Sequence, residues 1–158
     1  MSNNIASRDL PYKIRQMEFK DVDIVESIQD KLLSGFWNKT KLINSLEVGY
    51  CCRVVEVDRQ IVGYGVTSET HLLEAEILNI FIVKSWQGMG IGRGLINHFV
   101  NYWNNRGKEE IFLEVALSNF NARALYLKMK FLDIGRRPNY YRNKQGKKED
   151  ALIMRLKL

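Results

Sequence analysis

The sequence has few of the residues that build disulfides and metal sites, with two cysteines and two histidines among 158 residues. Cys51 and Cys52 are adjacent, so in a strand they point to opposite faces and cannot pair with each other. His71 and His98 lie far apart, and no second Cys or His stands near either, which argues against a metal site. Free thiols fit a reducing compartment, and we therefore expect a cytoplasmic protein.

Long apolar runs are also missing. No stretch approaches the ~20 apolar residues of a membrane-spanning helix. The first residues, "MSNNIASRDLPYKIR", lack the apolar middle of a signal peptide. With 46% hydrophobic residues, the chain can still bury a proper core. We therefore expect a single domain over residues 1–158, with no membrane partner.

Positive charge is concentrated in the C-terminal third. From Arg123 to the end there are 11 Lys and Arg against three acidic residues, a net charge of +8. The whole chain has a net charge of +6, so the residues before Arg123 have a net charge of −2. A basic surface of this kind suits an anionic ligand, an RNA-rich partner or an acidic substrate. A solvated basic surface is the alternative interpretation.

The apolar pattern predicts the order strand, two helices, three strands, helix, strand, helix and two strands. Residues 12–19 form the first strand, Asp21 is a candidate cap for a helix that follows it, and residues 36–47 hold a second helix. A tight turn at Asp58-Arg59 joins strands 50–58 and 60–69. Residues 74–83 become continuously apolar, which indicates a central strand. The last three strands are 110–117, 131–137 and 149–158, so we expect a mixed α/β sheet.

Four glycines fall within "QGMGIGRG", residues 87–94, between the central strand and the next helix. A helix N-terminus presents unpaired N–H groups, and glycine lets this backbone approach a bulky anion such as a pyrophosphate. A simple turn would need one glycine. The spacing excludes a Walker A loop, because Arg93-Gly94 follows Gly92, and it fails the dinucleotide fingerprint in both registers.

The spacing of residues 87–92 resembles the Gln/Arg-x-x-Gly-x-Gly/Ala pyrophosphate loop of the GNAT N-acetyltransferase superfamily. Downstream, "LEVALSNFNARALYLKMKF" (113–131) is similar to a further motif of that superfamily. "RRPNYYRNKQGKKEDALIM" (136–154) resembles the ending of bacterial ribosomal-protein-alanine N-acetyltransferases. The resemblance implies a single-domain α/β GNAT fold, whose mixed, mostly antiparallel sheet is splayed at the central strand and flanked by helices.

The resemblance also implies that acetyl-CoA is the cosubstrate and that no metal is needed. The backbone of Ile80, Phe81 and Ile82 would contact the acetyl and pantetheine end, and Asn119 would bond the pantetheine arm. The phosphates would lie on the loop residues Gln87, Gly88, Met89, Gly90, Ile91, Gly92 and Arg93.

Two residues are candidates for proton transfer. Glu114 is the only charged residue within "IFLEVAL", where a carboxylate is costly unless it is paired, hydrated or useful. The residues alone leave open whether it is a buried base or a strand-end glutamate facing solvent. Tyr126 lies on an apolar helix stripe, where core packing is the alternative. The resemblance implies that Glu114 accepts a proton and Tyr126 donates one, with the N–H near Ile82 as a candidate oxyanion donor.

The acceptor side resembles the family less. Trp37, Tyr140 and Tyr141 are candidate walls of a substrate groove, although the proline of the family's Phe-Pro-Trp motif is missing. Lys84 stands in place of a usual proline, and Lys130 in place of a glycine. A left-handed lysine at 130 would cost about 1 kcal/mol.

The resemblance implies direct acetyl transfer to a protein N-terminal amine, the N-terminal alanine of a small-subunit ribosomal protein. One alternative acceptor is a lysine, a small amine or an aminoacyl-tRNA. Another alternative is a non-catalytic acyl-CoA-binding or RNA-binding module.

Overall fold

The computed structural model describes residues 11–32 and 35–158. Its strands are β1 (Lys13–Gln16), β2 (Cys51–Val57), β3 (Gln60–His71), β4 (Glu74–Ile82), β5 (Glu110–Ala116), β6 (Leu132–Arg142) and β7 (Lys148–Lys157). They form one sheet in the order β1-β2-β3-β4-β5-β7-β6. Strands β4 and β5 pair in parallel, and the other neighbours pair antiparallel. The sheet is therefore mixed and mostly antiparallel, as predicted, with β4 at its centre.

The helices are α1 (Val22–Ser27), α2 (Lys39–Glu47), α3 (Ile91–Asn104) and α4 (Phe120–Lys128), with 3-10 turns at Phe19–Asp21 and Lys84–Trp86. Within residues 11–32 and 35–158, no helix is both long and apolar enough to span a bilayer.

Two apolar clusters cover opposite faces of the sheet. The larger packs α3 and α4 against one face and includes the buried residues Phe99 and Leu113. The smaller packs α1 and α2 against the other face and includes Tyr64. Cys51 belongs to the first cluster and Cys52 to the second. The predicted opposite orientation of the two thiols is confirmed.

The first part of the chain departs from the predicted pattern. Strand β1 ends at Gln16, because Phe19–Asp21 turns into a 3-10 helix. Asp21 makes no side-chain capping bond to α1. Its carboxylate accepts hydrogen bonds from the Glu18 N–H at 2.8 Å and from the Arg15 guanidinium at 2.7 and 2.9 Å. Helix α1 is short and ends at Ser27.

The turn between β2 and β3 follows the prediction. Asp58 and Arg59 both have positive φ, 48° and 66°, as a type I′ hairpin turn requires.

Helix α4 ends at a left-handed residue, as expected for Lys130, whose φ is 73°. The Phe131 N–H donates to the main-chain oxygen of Tyr126 at 3.0 Å, as in a Schellman cap.

The sheet opens along one side of β4. Strand β4 pairs with β3 as far as Ile82, but with β5 only as far as Ile77, opposite Leu113. Leu78 is left without a partner on β3, which makes a β-bulge at the point where β4 and β5 separate. We call the space between residues 78–82 of β4 and 114–116 of β5 the β4–β5 gap. It confirms the predicted splay at the central strand.

Candidate active site

The backbone of β4 lines one side of the β4–β5 gap. The Val83 N–H donates to the Val62 oxygen on the β3 side at 2.9 Å. Because backbone groups of successive strand residues point in opposite directions, the N–H and C=O of Ile82 and of Ile80 point toward the gap. The backbone of Phe81 points toward β3. Of the three residues expected to contact a ligand here, Ile80 and Ile82 are thus placed to do so through their backbone.

Gln87 holds the glycine loop against the end of β4. Its side-chain Nε2 donates a hydrogen bond to the Ile82 oxygen at 2.8 Å. This bond uses the carbonyl that would otherwise project into the β4–β5 gap, and it leaves the Ile82 N–H available. Gln87 therefore positions the loop as well as lying within it.

The glycine loop is an open cradle at the start of α3. Gly88 and Gly90 have φ values of 75° and 85°, and a Cβ at either position would meet no atom within 4 Å. In the part of the chain that the structure describes, no acceptor bonds the N–H groups of Ile91, Gly92 or Arg93. Unpaired N–H groups at a helix N-terminus attract anions, so this loop fits the phosphates of a nucleotide-like ligand.

The fourth glycine of the loop has a different role. A Cβ on Gly94 would overlap the Tyr12 hydroxyl, so a side chain here would collide with the residue that precedes β1. Met89 is exposed between the two positive-φ glycines. The need for glycine therefore comes from backbone conformation at Gly88 and Gly90, and from close packing at Gly94.

Asn119 lies on the far side of the gap, at the start of α4. Its Oδ1 accepts a hydrogen bond from the Ala122 N–H at 3.2 Å, which makes it the N-cap. The side-chain amide nitrogen has no acceptor among the described residues, so Asn119 can cap its helix and still donate to a ligand.

Glu114 lies one residue beyond the last β4–β5 pair. Its side chain is 21% exposed and is paired with Arg137, whose Nη1 lies 3.2 Å from Oε1. This arrangement differs from both alternatives that the sequence left open, because the carboxylate is neither unpaired in the core nor free in solvent. The ion pair with an exposed arginine offsets part of the cost of placing a carboxylate on an apolar strand.

Tyr126 lies on the buried side of α4, in the larger apolar cluster. Only 8% of it is exposed, and its ring packs against Phe131 with 5.7 Å between centroids. Burial raises the pKa of the Tyr126 hydroxyl to about 12. The hydroxyl is therefore protonated at neutral pH, as a proton donor must be.

Tyr141, which the sequence predicts as a groove wall, contacts the backbone of Glu114. Its hydroxyl donates a hydrogen bond to the main-chain oxygen of Glu114 at 3.2 Å. Burial raises its pKa, and the nearby charges of Glu114 and Glu76 add to this effect. Its neighbour Tyr140 is exposed and stacks under the Arg137 guanidinium, 3.9 Å from the ring centroid.

Glu76 lies near Glu114 and was not predicted from the sequence to have a role. Burial raises the pKa of its carboxyl, the charge of Glu114 raises it further, and Arg137 opposes both. Glu76 and Glu114 line one cavity of about 230 Å³, together with Thr70, Glu74, Phe112, Leu113 and Ile153. The cavity opens on the face of the sheet opposite α3.

The loop that carries Trp37 is attached to this same face. The Asn79 side chain donates to the Gly35 oxygen at 2.6 Å. Gln29 bonds the backbone of Trp37 twice, accepting from its N–H at 2.9 Å and donating to its oxygen at 3.0 Å. The Tyr64 hydroxyl donates to Gln29 at 2.8 Å. Gly35 and Trp37 are thus held on this face, with Gly35 beside Asn79, the residue that follows the β4 bulge.

The fold and the site define the class. Residues 13–131 match the model of the Acetyltransferase (GNAT) family. The chain belongs to this family and is an acetyltransferase, which confirms the resemblance that the glycine loop and the residues after it suggested.

Three individual relatives cover most of the chain. The chain is 31% identical over 141 residues to the [Ribosomal protein bS18]-alanine N-acetyltransferase of Haemophilus influenzae, covering 89% of this chain and 95% of the relative. It is 32% identical over 148 residues to an uncharacterized N-acetyltransferase of Methanocaldococcus jannaschii, covering 89% and 88%. The crystal structure of the ribosomal-protein-S18-alanine N-acetyltransferase of Escherichia coli superposes with a TM-score of 0.83 at 28% identity, covering 93% of this chain and 94% of that one.

Proposed function

We propose that the protein transfers an acetyl group from acetyl-CoA to a protein N-terminal α-amine, with the N-terminal alanine of a small-subunit ribosomal protein as the acceptor. The observation that carries this proposal is the β4–β5 gap. Glu114 and Tyr141 lie at its edge, and in this proposal the glycine loop at one end holds an anion while Tyr126 reaches the gap from α4.

The residues present fit coenzyme A. The N–H groups of Ile91, Gly92 and Arg93, which no acceptor among the described residues bonds, would hold its phosphates. The backbone of Ile80 would hold its pantetheine arm, and the Ile82 N–H would face its acetyl end, since Gln87 occupies the Ile82 carbonyl. When bound, acetyl-CoA supplies an activated acetyl thioester. The cradle has room for the phosphates, since nothing lies within 4 Å of the Cβ positions of Gly88 and Gly90.

The chain supplies a proton acceptor, a proton donor and a hydrogen-bond donor. Glu114 accepts a proton from the acceptor amine, directly or through water, from its place beside the gap. Tyr126 gives its proton to the leaving thiolate, since burial keeps the hydroxyl protonated. The Ile82 N–H points into the gap and stabilises negative charge on the carbonyl oxygen.

The cysteines support direct transfer without an acyl-enzyme. Both are buried, in the core clusters on either face of the sheet. Burial raises the pKa of the Cys51 thiol and raises that of Cys52 to about 12. Neither supplies a thiolate at neutral pH, and the thiolate is the nucleophilic form.

The acceptor assignment rests on the relatives and on amine chemistry. Two of the three relatives described above are named as ribosomal-protein-alanine N-acetyltransferases. An N-terminal α-amine has a reference pKa of about 8, against about 10.4 for lysine. At neutral pH a far larger fraction of an α-amine than of a lysine side chain is therefore in the free-base form. A carboxylate can remove the proton from the fraction that is still protonated. Because ribosomal proteins are made in the cytoplasm, we propose that compartment for the enzyme.

A panel of acceptors tests the proposal. Acetyl-CoA turnover is measured with an Ala-starting peptide, the same peptide with a blocked N-terminus and an internal lysine, a small amine and an aminoacyl-tRNA. We expect the free Ala-starting peptide to be acetylated fastest. Faster turnover of the blocked lysine peptide would move the assignment to lysine. Tight coenzyme binding with no turnover on any amine would indicate a binding module.

A further inference from the structure

The end of the last hairpin carries positive charge that the proposed function does not use. Arg142 and Lys148 are direct partners in the antiparallel β6–β7 register, and Lys147 precedes Lys148. All three side chains are exposed, and Arg142 uses one N–H group to donate to the Gly146 oxygen at 3.3 Å. We call these three residues the basic turn. Like charges directly opposite each other destabilise a sheet, so this pairing is not explained by stability.

The carboxylates next to the basic turn are bonded to neutral groups. Glu149 accepts hydrogen bonds from the Ser118 N–H at 3.1 Å and from the Ser118 hydroxyl at 2.9 Å. Asp150 accepts one from the Asn139 N–H at 3.0 Å. Among the described residues, no carboxylate lies within ion-pair distance of any member of the basic turn. The three positive charges are therefore available to an anion from outside the chain.

An exposed aromatic ring lies beside the basic turn. Tyr140 precedes Arg142 by two residues on β6, so the two side chains share a face of the strand, and Tyr140 is 46% exposed. Sites for single-stranded nucleic acid combine cations that follow the phosphates with aromatic rings on which bases stack. Residues 142–148 contain no apolar side chain, whereas the core of a protein interface is apolar. The composition of this surface therefore favours RNA over an acidic protein.

The basic turn is also next to the candidate acceptor side of the active site. Tyr141, the residue before Arg142, bonds the main-chain oxygen of Glu114 at the β4–β5 gap. At the tip of the hairpin, Lys144 lies 3.7 Å from Asp30, in the segment that follows α1. An RNA strand on the basic turn would thus lie beside an acceptor peptide bound at the gap.

We propose that the basic turn and Tyr140 form a binding site for single-stranded RNA. The three cations contact its phosphates, and one base stacks on Tyr140. The site favours acceptor proteins that are already associated with RNA over free peptides. This inference rests on the proposed function, because a ribosomal protein is the acceptor that brings RNA to this edge of the sheet.

Fluorescence anisotropy with a short labelled single-stranded RNA tests the site, with saturating coenzyme A present to occupy the glycine loop. For a single strand, each phosphate contact contributes about 0.7 to the slope of log K against log salt concentration. The triple variant Arg142→Gln, Lys147→Gln and Lys148→Gln should bind more weakly, with a slope shallower by about 2. Tyr140→Ala should also bind more weakly, but with an unchanged slope, because it removes stacking and no charge. No binding by the wild type, or a wild-type slope in the triple variant, would overturn the proposal.

The matched control removes three exposed cations that lie away from the hairpin end, in the variant Lys13→Gln, Arg59→Gln and Lys157→Gln. Lys13 and Arg59 lie toward the opposite edge of the sheet, and Lys157 is at the other end of β7. This variant loses the same net charge, and we expect it to keep the wild-type slope. Equal slope changes in the two triple variants would mean that RNA is attracted to the basic protein in general, and the proposed site would be wrong.

A competitor distinguishes RNA from an acidic protein partner. We expect unlabelled RNA to displace the probe at lower concentration than poly-glutamate of matched charge. Equal displacement would make an acidic protein segment the better assignment and would overturn the RNA site.

Acetylation of a short Ala-starting peptide shows whether the basic turn acts apart from the chemistry. The hairpin triple variant should acetylate this peptide at the wild-type rate, because the peptide brings no RNA. A large loss of peptide turnover would place the three cations in the acceptor site and contradict the proposal. A wild-type enzyme that acetylates no amine would contradict the proposed function, while the anisotropy still decides whether the RNA site exists.

Discussion

The Tyr141 hydroxyl donates a hydrogen bond to the main-chain oxygen of Glu114, reaching from β6 to β5 across the intervening strand β7. Glu114 is the first residue of β5 beyond its pairing with β4. The bond therefore fixes the edge of the β4–β5 gap. A tyrosine that spans a whole strand in this way ties the last hairpin to the candidate active site.

Replacing Tyr141 with phenylalanine keeps the ring and removes this bond. A single neutral hydrogen bond contributes about 1 kcal/mol, so we expect the free energy of unfolding to fall by about that amount. We also expect kcat to fall by at most about fivefold with coenzyme affinity retained, because a loss of about 1 kcal/mol at the barrier slows the reaction by that factor. Urea unfolding and steady-state kinetics measure both. Tyr50→Phe, on the exposed turn before β2, is the control; equal effects in the two variants would remove Tyr141 from the site.

Substituting two glycines in parallel distinguishes the role of the loop in binding from the effect of backbone strain. Gly90 and Gly107 stand at the two ends of α3 with φ values of 85° and 75°, and a Cβ on either meets no atom within 4 Å. Changing either to alanine should cost about 1 kcal/mol of stability, because both are left-handed. Only Gly90→Ala should weaken coenzyme A binding, which calorimetry measures. Equal affinities in the two variants would count against the phosphate cradle.

Local sequence patterns predicted much of the fold and the loop. The glycine loop and the hairpin at Asp58-Arg59 depend on residues close together in the chain, so glycine spacing and turn preferences were enough to find them. Asp21 does stand at the N-cap position of α1, but its carboxylate makes no capping bond there, because it accepts hydrogen bonds from Arg15 and from the Glu18 N–H instead.

The cavity residues could not be found in this way. Glu76 and Glu114 are 38 positions apart, and they meet only because β4 and β5 pair in a parallel register that ends at Ile77. Tyr141 reaches Glu114 because the register of β6 shifts between Arg137 and Tyr141. Sheet register and bulges are set by long-range packing, and the alternation of apolar residues does not reveal them.

Removing the Tyr126 hydroxyl tests the proton donor. Tyr126→Phe keeps the ring packed on Phe131 and takes away only the oxygen. General acids contribute roughly 10²–10⁴-fold, so turnover should fall on that scale while coenzyme A binds as before. A rate within a few-fold of wild type would mean that Tyr126 only packs, or that water replaces it.

Lys130 offers a stability test that is independent of the active site. With a φ of 73°, it occupies a conformation that glycine adopts without strain. Lys130→Gly should raise the free energy of unfolding by about 1 kcal/mol. The same change two residues earlier, Lys128→Gly, lies in α4 itself and should lower it by about 1 kcal/mol. Urea denaturation measures both, and effects of the same sign would contradict this account of the helix end.

The central claim is that Glu114, beside the β4–β5 gap, accepts a proton from an α-amine. The pH dependence of kcat/KM for Glu114→Gln on an Ala-starting peptide tests it. Glutamine keeps the shape of the side chain and cannot accept the proton. The account predicts a large loss of kcat/KM near pH 7, with partial recovery at high pH as the free amine becomes abundant. A Glu114→Gln rate equal to wild type at every pH would contradict it.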